Sequence, residues 1–244
     1  MSAAPYWLVM PAAGRGERLG ADIPKQYLPL AGRPMVEWSL TPFLGDPECR
    51  GLVLALAADD ARWPASRARL GRAVHETKGG ATRADSVRAG LAALGEAGAA
   101  DDDWVLVHDA ARPCVTAVEI RALRSAVLAA EGASCGILAL PLADTLKRGD
   151  IGADGAVRSV ATLPRESLWR ALTPQMARLG ALRDALDAAA EAGHSPTDEA
   201  QAMEWQGAAP VLVPGASTNF KVTTADDVRL AEAVLAARAA GDRT

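Results

Sequence analysis

Glycines and cations crowd the segment that follows the first apolar run of the chain. Tyr6–Met10 has the length of a strand, and residues 11–27 then read PAAGRGERLGADIPKQY. A glycine-rich turn after a parallel strand directs backbone N–H groups into one concavity, where they can bind an anion. Arg15, Arg18 and Lys25 add positive charge within eleven residues. We therefore predict that this loop binds phosphates; the alternative is a turn whose arginines face solvent.

The spacing of these glycines excludes two familiar phosphate-binding loops. The dinucleotide fingerprint requires G-x-G-x-x-G, whereas Gly20 stands one residue too late after Gly14 and Gly16. The P-loop requires G-x-x-x-x-G-K-[ST], and no lysine follows these glycines at that place. The segment is therefore expected to hold phosphates in a third way.

A second glycine-rich cluster, KGGATRADS, occupies residues 78–86 and opens a predicted helix. Two consecutive glycines permit a close approach of the backbone to a ligand, and Thr82 has the side chain of a helix N-cap. Arg83 and Ser86 are three residues apart, so they lie on one face of the first helical turn. The cluster is typical either of a ligand site or of an ordinary glycine-rich helix entry.

A third cluster, HDAARP at residues 108–113, follows the apolar run Trp104–Val107. Because ligands of open α/β sheets bind beyond the carboxyl ends of the strands, Asp109 and Arg112 are expected to face the same crevice as the first loop. A carboxylate there can bind a hydroxyl or a metal ion, and an arginine can bind a phosphate. His108 is interpreted as a structural histidine with a satisfied hydrogen bond.

Several shorter polar groups are, taken singly, typical of turns or helix caps. They lie at residues 144–147, 165, 172–175, 197–199 and 219–223. The acids Asp198 and Glu199, like Glu191, are interpreted as solvated surface charge or as charge at a helix start. By themselves these groups predict no chemistry.

The elements that must position these residues alternate between strands and helices. Apolar runs of strand length lie at Tyr6–Met10, Gly51–Leu56, Trp104–Val107, Cys135–Leu140 and Pro210–Val213. The wider apolar spacing of helices covers Met35–Phe43, Arg83–Leu94, Thr116–Ala130, Leu179–Ala192 and Ala225–Ala239. This alternation predicts an α/β fold with a doubly wound, mostly parallel, Rossmann-like sheet that is covered by helices on both faces.

Residues 142–165 interrupt this alternation and predict a β-arm. They contain Asp-Gly and Gly-Asp turn pairs flanked by β-branched residues, and they show no helical period. A two-stranded ribbon is marginally stable alone, so we expect the arm to pack against another body, of which a second copy of the chain is the simplest. Residues 1–244 show no boundary of a second domain and are predicted to form one domain that includes the arm.

Composition and charge exclude several classes of protein. The formal net charge of −4 gives no reason to expect nucleic acid as a partner, because domains that bind it carry a basic face. No apolar stretch approaches the ~20 residues that span a bilayer, and the N-terminus lacks the pattern of a signal peptide. We therefore expect a cytoplasmic protein without a membrane partner. Cys49, Cys114 and Cys135 lack metal-binding or redox spacing and are interpreted as small buried or half-buried residues.

Taken together and in this order, the polar segments resemble the 2-C-methyl-D-erythritol 4-phosphate cytidylyltransferases of the non-mevalonate isoprenoid pathway. The first segment alone would indicate only the wider nucleotidyltransferase superfamily, but eight segments that span most of the chain are specific. They are PAAGRGERLG (11–20), PKQY (24–27), GGATRADSV (79–87), HDAARP (108–113), DTLKR (144–148), ALTPQ (171–175), TDEA (197–200) and NFKVT (219–223).

The resemblance implies both a fold and a reaction. The fold would be a nucleotidyltransferase domain whose β-arm hooks around the partner in a homodimer. The reaction would transfer CMP from CTP to methylerythritol 4-phosphate and release pyrophosphate, with a requirement for Mg²⁺. It needs no protein nucleophile, because a phosphate oxygen of the acceptor attacks the α-phosphorus directly. The ligands of the metal are not identified.

Matched position by position, the resemblance also implies roles for individual residues. Arg18, Lys25 and Lys221 match the catalytic cations that meet the phosphates. The residues matched to nucleotide binding are Pro11, Ala12, Ala13, Gly14, Gly16, Gly80, Ala81, Arg83, Ser86, Asp109 and Ala110. The residues matched to acceptor binding are Asp109, Arg112, Thr145, Arg165, Thr173, Thr197 and Lys221. Among the latter, Thr145 and Arg165 match arm residues that reach the site of the neighbouring subunit.

The chain departs modestly from the family pattern, and two alternatives stay open. Ala81 stands where many relatives have an acid, and Thr218 stands where some have an acid before Asn219. One alternative is a cytidylyltransferase for another polyol phosphate such as ribitol 5-phosphate, although such relatives tend to differ in PAAG and HDAARP. The other is a non-catalytic nucleotide-binding protein, which the loss of Arg18 or Lys25 would indicate; both are present.

Overall fold

A seven-stranded sheet organises the computed structural model, which describes residues 4–14 and 23–241. The strands are β1 (Tyr6–Pro11), β2 (Pro29–Leu30), β3 (Arg33–Pro34), β4 (Cys49–Leu56), β5 (His75–Lys78), β6 (Trp104–Val107), β7 (Cys135–Pro141), β8 (Leu146–Ile151), β9 (Val157–Leu163), β10 (Trp169–Arg178) and β11 (Val211–Pro214). The helices are α1 (Met35–Leu44), α2 (Trp63–Arg67), α3 (Arg83–Glu96), α4 (Ala117–Ala129), α5 (Leu179–Glu191), α6 (Glu199–Trp205) and α7 (Ala225–Gly241). Lys25–Tyr27 form one 3₁₀ turn.

The strands of the central sheet follow the order β11-β7-β10-β6-β1-β4-β5. Strand β1 is parallel to its neighbours β4 and β6, β5 is parallel to β4, and β11 is parallel to β7. Strand β10 lies between β6 and β7 and runs antiparallel to both. Parallel pairings therefore predominate, and the predicted doubly wound, mostly parallel α/β fold is confirmed.

Strand β1 shows why the sheet must be covered on both faces. Successive side chains of a strand point to opposite faces. Tyr6, Leu8 and Met10 pack in one apolar cluster with α1 and α4, whereas Trp7 and Val9 pack in another with α3 and α5. A strand buried on both faces needs an unbroken apolar sequence, which is what residues 6–10 provide.

The ten predicted strands and helices are all present, with ends that differ by at most two residues. Strand β10 was not predicted, and the interpretation of residues 172–175 as a turn is wrong, because they lie within this strand. The polar side chains of Thr173 and Gln175 hide the strand pattern, and a cis peptide bond joins Thr173 to Pro174. Strand β5 was missed because its residues are mostly exposed and show no apolar alternation.

The predicted β-arm is an antiparallel hairpin of β8 and β9 that is separate from the central sheet. At its turn, Gly152 N–H donates to Ala156 O at 2.9 Å, and Gly155 has a φ of +76°, which glycine adopts without strain. The cross-strand pair Ile151 and Val157 stands beside this turn, 76% and 71% exposed. The arm therefore presents apolar side chains on its surface.

Two further predictions concern the burial of the cysteines and membrane-spanning segments. Cys49, Cys114 and Cys135 are buried free thiols, as the sequence predicts. Within residues 4–14 and 23–241, none of the helices combines the length and the apolar character needed to cross a bilayer.

Candidate active site

A cleft of about 260 Å³ opens at the carboxyl ends of β1 and β6, where the loops after both strands meet the start of α3. Every described residue that is predicted to bind the nucleotide lines this cleft, and so do Lys25 and Lys221. The lining residues are Pro11, Ala12, Ala13, Gly14, Lys25, Gln26, Gly80, Ala81, Thr82, Arg83, Ser86, Asp109, Ala110, Ala111 and Lys221. For three of them, Gln26, Thr82 and Ala111, the sequence predicts no contact with a ligand.

Two hydrogen bonds fix the backbone of the first loop where it leaves β1. Ala12 N–H donates to Ala55 O at 2.8 Å, which continues the pairing of β1 with β4. Gln26 Nε2 donates to Ala12 O at 2.7 Å, and Gln26 is buried. The amide of Gln26 therefore fixes the backbone where the loop enters the cleft, a contact that needs two segments to meet and that the sequence does not reveal.

Lys25 reaches the cleft from the 3₁₀ turn. Its Nζ donates to Val222 O at 2.9 Å, so the segment that carries Lys25 adjoins the segment that carries Lys221. Residues 15–22 lie outside the part of the chain that the structure describes. The roles assigned to Gly16 and Arg18 by resemblance therefore stay predictions.

The second loop requires glycine at two positions. A Cβ on Gly79 would lie 2.4 Å from Ala13 Cβ, and a Cβ on Gly80 would overlap the first turn of α3. Thr82 caps α3, as the sequence predicts. Ser86 Oγ accepts from Gly80 N–H at 3.1 Å and donates to Thr82 O at 3.0 Å. Small residues and this hydrogen-bonded serine thus bring the loop against the first one.

Asp109 lies at the centre of the charges around the cleft, directly beyond β6. Its carboxylate accepts from Arg83 Nε at 2.9 Å and from Lys221 Nζ at 2.8 Å, and it lies 4.0 Å from Arg112 Nε. Its backbone N–H donates to Thr173 Oγ1 at 3.1 Å. Burial by itself would raise the pKa of Asp109, but the adjoining cations outweigh burial and hold the pKa below its usual range. Asp109 is therefore ionised at physiological pH.

Lys221 enters the cleft from the loop after β11. Hydrogen bonds of the residues on either side of Lys221 anchor this loop. Asn219 is fully buried, and its Nδ2 donates to Thr173 O at 2.9 Å. Val222 N–H donates to Ala111 O at 2.8 Å. The side chain of Lys221 is nevertheless 42% exposed, so a ligand in the cleft can reach its ammonium group.

His108 is buried behind the cleft and does not line it. Its Nδ1 lies 2.9 Å from Thr173 Oγ1, and its Nε2 lies 3.2 Å from Arg112 O. Burial lowers the pKa of His108 to about 3, so the imidazole is neutral at physiological pH. The predicted structural role, with satisfied hydrogen bonds, is confirmed.

The residues predicted to hold the acceptor are only partly brought together. Asp109 and Lys221 line the cleft, and Arg112 and Thr173 are buried behind Asp109. Arg112 Nη1 is engaged by the carbonyl oxygen of Asn219 at 2.8 Å. The predicted acceptor residues that are exposed and do not line the cleft of their own chain are Thr145, Arg165 and Thr197.

Glu199 begins α6, so its interpretation as charge at a helix start is confirmed, but it is not a solvated surface charge. It is buried, and its two oxygens accept from the Nη1 and Nη2 atoms of Arg83 at 2.6 Å and 3.0 Å. Glu199, Ala202 and Met203 stand at i, i+3 and i+4 and are all buried, so they form the inward stripe of α6. That spacing was a usable sequence signal, but only the fold supplies the arginine that makes a buried carboxylate stable.

The charged groups of the cleft offer one carboxylate, not a set of protein ligands, to a metal ion. Among the described residues, no group of three or more His, Cys, Asp or Glu side chains is arranged to hold a metal ion, and Asp109 is the carboxylate on the cleft wall. Mg²⁺ often binds through one or two carboxylates together with the phosphates of a substrate. A single carboxylate on the cleft wall fits a metal ion that arrives with the phosphates of a substrate better than one held by protein side chains alone.

Comparisons with known proteins agree with one another. The sequence profile of the family described as 2-C-methyl-D-erythritol 4-phosphate cytidylyltransferase matches residues 6–237. The protein of that name from Pseudomonas paraeruginosa is 52% identical over 223 residues, which cover 91% of this chain and 93% of the relative. The crystal structure of the Francisella tularensis protein of that name has a TM-score of 0.79 at 34% identity, covering 95% of this chain and 100% of the other. A crystal structure of 4-diphosphocytidyl-2C-methyl-D-erythritol synthase has a TM-score of 0.81 at 33% identity, covering 95% of this chain and 99% of the other.

Proposed function

Because this chain belongs to the 2-C-methyl-D-erythritol 4-phosphate cytidylyltransferase family, we propose that its cleft holds CTP with the phosphates between Lys25 and Lys221. The protein is a nucleotidyltransferase that transfers CMP from CTP to 2-C-methyl-D-erythritol 4-phosphate and releases pyrophosphate, a step of isoprenoid precursor biosynthesis. The name shared by its relatives favours this acceptor over ribitol 5-phosphate, and it favours an enzyme over a non-catalytic binding protein.

The transfer is an in-line displacement at the α-phosphorus of CTP. A phosphate oxygen of the acceptor forms the new P–O bond while the bond between the α-phosphorus and the bridging oxygen breaks, so that pyrophosphate leaves with the electron pair. Both reactants are anions. Cations fixed between them lower their repulsion before attack and meet the charge that gathers in the transition state.

The observation that carries the assignment of cations is their exposure on the cleft wall. Arg83 is engaged by two carboxylates, Asp109 and Glu199, and its side chain is 26% exposed. Lys221 also pairs with Asp109, but its side chain is 42% exposed, and Lys25 Nζ lies at the cleft and donates to Val222 O. We therefore assign the phosphates to the two lysines, and Arg18 joins them on the strength of the resemblance alone.

The nucleoside part of CTP is proposed to lie against the two small-residue loops. Ala12, Ala13 and Gly14 form one wall, and Gly80 and Ala81 form the other. Because these side chains are short, backbone N–H and C=O groups stay accessible, and hydrogen bonds to them can distinguish the edge of a base. Backbone recognition also makes the replacement of an acid by Ala81 tolerable.

The acceptor is proposed to lie between two copies of the chain, in a homodimer joined by the arm. Thr145 and Arg165 stand at the base of the arm and do not line their own cleft, which fits residues that act on a neighbour. The exposed pair Ile151 and Val157 at the tip gives the arm an apolar surface that a partner can cover.

Mg²⁺ is proposed as the cofactor, carried by the phosphates of CTP, because both oxygens of Asp109 already accept from Arg83 and Lys221. When bound, the ion would neutralise charge on the triphosphate. We also propose a cytoplasmic location, which the three buried free thiols support, because thiols persist in reducing compartments.

The reaction is tested by supplying purified protein with CTP, Mg²⁺ and methylerythritol phosphate, beside parallel reactions with ribitol 5-phosphate and other nucleotides. We expect pyrophosphate release with the first pair of substrates. Lys25→Ala should lower kcat by about 10²–10³-fold while CTP affinity changes far less, because a transition-state contact is lost. Lys78→Ala, an exposed lysine outside the cleft, is the matched control.

Two outcomes would count against this assignment. Wild-type protein that binds CTP but releases no pyrophosphate would reject the activity. Equal losses of turnover and CTP affinity in Lys25→Ala would make Lys25 a binding residue only.

A further inference from the structure

Glu199 is a buried charge that the proposed mechanism does not use. It is 3% exposed and does not line the cleft. Its Oε1 accepts from Arg83 Nη1 at 2.6 Å, and its Oε2 accepts from Arg83 Nη2 at 3.0 Å. A carboxylate buried this deeply is stable only when it is paired and hydrogen-bonded, and the arginine fork provides both. Glu199 and Arg83 are therefore one unit.

This unit continues into the cleft. The third nitrogen of the Arg83 guanidinium, Nε, donates to Asp109 Oδ1 at 2.9 Å, and Lys221 Nζ donates to Asp109 Oδ2 at 2.8 Å. Four side chains thus form a row of alternating charge that runs from α6 to the cleft. In this row each oxygen of Asp109 has a cation of its own.

The row starts from an element with a fixed position. Glu199 is the first residue of α6, and Arg83 is the first residue of α3, directly after the second glycine loop. Helix α6 is tied to β10 by Gln175, whose Oε1 accepts from Ala200 N–H at 2.8 Å and whose Nε2 donates to Asp198 at 2.9 Å. Glu199 can therefore hold Arg83 in one place relative to the sheet.

We propose that Glu199 is a positioning residue for cytidylyl transfer: it holds the Arg83 guanidinium away from the phosphates of CTP and so leaves Lys221 beside Asp109. The inference rests on the proposed function. Without the charge of Glu199, Arg83 loses its two-point pairing with a carboxylate, and the nearest anions are Asp109 and the bound triphosphate. A guanidinium that turns to the triphosphate stabilises bound CTP without following the charge into the transition state, and one that turns further to Asp109 competes with Lys221 for that carboxylate. In both cases affinity for CTP is kept while turnover falls.

The test is Glu199→Gln, assayed with CTP and methylerythritol phosphate. Glutamine keeps the size of the side chain but replaces one acceptor oxygen by an amino group. We expect kcat to fall at least about tenfold while the KM for CTP stays within about twofold of the wild-type value. Glu37→Gln is the matched control, because Glu37 is equally buried and accepts from Arg69 Nε at 2.9 Å outside the cleft. Its kcat should equal that of the wild type.

A double variant distinguishes a positioning role of Glu199 from an effect on folding. In Arg83→Gln, the further change Glu199→Gln should lower kcat no more, because Glu199 acts through Arg83. If Glu199→Gln does not fold, Glu199→Asp carries the same comparison, since it keeps the charge and shortens the reach.

Three results would overturn the inference: a wild-type kcat in the Glu199 variant, a KM for CTP that rises as much as kcat falls, or an undiminished fall in kcat when Arg83 is already replaced. Wild-type enzyme that releases no pyrophosphate would reject the proposed function instead.

Discussion

Asp109 shows how a buried carboxylate can stand beside a cleft that receives anions. An unpaired carboxylate at this place would repel a triphosphate, but Arg83 and Lys221 each bond to one of its oxygens. Glu199 in turn balances the charge of Arg83. The cleft therefore presents the cation of Lys221 at its surface while the charges behind it cancel in pairs. Removing one member of the row is expected to disturb the others, because their charges are shared.

His108 should make the stability of the fold depend on pH below neutrality. Burial lowers its pKa from 6.5 to about 3 in the folded protein, so at intermediate pH the unfolded chain binds a proton that the folded protein does not. The stability that the neutral imidazole contributes is complete above its unfolded pKa and is lost as the pH falls toward the folded pKa. Between about pH 8 and about pH 4.5, the free energy of unfolding should fall about 2–3 kcal/mol further in the wild type than in His108→Asn.

Urea denaturation at a series of pH values measures this difference, with His75→Asn, an exposed histidine, as the control. Curves for the wild type and His108→Asn that run parallel would show that the buried imidazole titrates normally.

At the scale of elements, the site depends on how closely two loops approach. The loop after β1 and the loop before α3 meet where Gly79 faces Ala13 and Ser86. A capping box between Thr82 and Asp85 holds the first turn of α3, so the end of the second loop that joins α3 is fixed in position. Side-chain size at the point of contact therefore sets the width of the cleft.

Gly79→Ala should open this cleft. The added Cβ would stand 2.4 Å from Ala13 Cβ and 2.9 Å from Ser86 Oγ, so the two loops must separate. We expect kcat/KM for CTP to fall about ten- to a hundredfold, because a displacement of the order of one ångström misaligns the reacting groups. Steady-state kinetics and calorimetric titration with CTP measure the loss.

Gly95→Ala provides the control on the same helix, since no atom outside the local helix lies within 4 Å of its added Cβ. It should leave activity unchanged and stabilise α3 by up to about 1 kcal/mol. Full activity in Gly79→Ala would mean that the loops can move apart without affecting the bound nucleotide.

At the scale of the whole molecule, the chain combines a sheet covered on both faces with an arm that has no such cover. Within the described residues the two strands of the arm pair only with each other, and Val160 is 49% exposed in addition to the pair at the tip. A two-stranded ribbon gains little stability alone, so burial against a second copy would supply what its own core lacks. The proposed homodimer and the proposed shared active site thus depend on the same surface.

Ile151→Asp should therefore weaken dimerisation and lower activity at low protein concentration. A charge on the arm tip would have to be buried at the interface, which is costly without a partner. Sedimentation velocity measures the association, and Val118→Asp, with Val118 66% exposed on α4, is the control that should leave it unchanged.

Mixing two inactive proteins tests the shared site. If Arg165 acts on the neighbouring subunit, Lys25→Ala mixed with Arg165→Ala forms one intact site per mixed dimer and recovers activity. A monomeric wild type, or a mixture that stays inactive, would contradict the arm's role.

The sequence predicts the elements and the cleft well where the signal is local. Apolar runs and helical spacing locate the strands and helices, and the rule that ligands bind beyond strand ends places Asp109 and the first loop together. It fails at β10, because Thr173 and Gln175 turn polar side chains inward there and find their partners on other elements. It also leaves Thr145 and Arg165 unexplained, since no partner within the described chain brings them to the cleft.

The sequence by itself determined most of the strands and helices, though not β5 or β10, and which polar clusters meet at one edge of the sheet. Only the tertiary structure decided how their charges are shared. Glu199 lies 116 residues from Arg83 along the chain and yet makes two hydrogen bonds with it. Periodicity reports which face of a helix is buried, but not which distant group meets that face. A buried carboxylate costs free energy unless a cation is there to pair with it, so its meaning depends on the neighbour that the fold supplies.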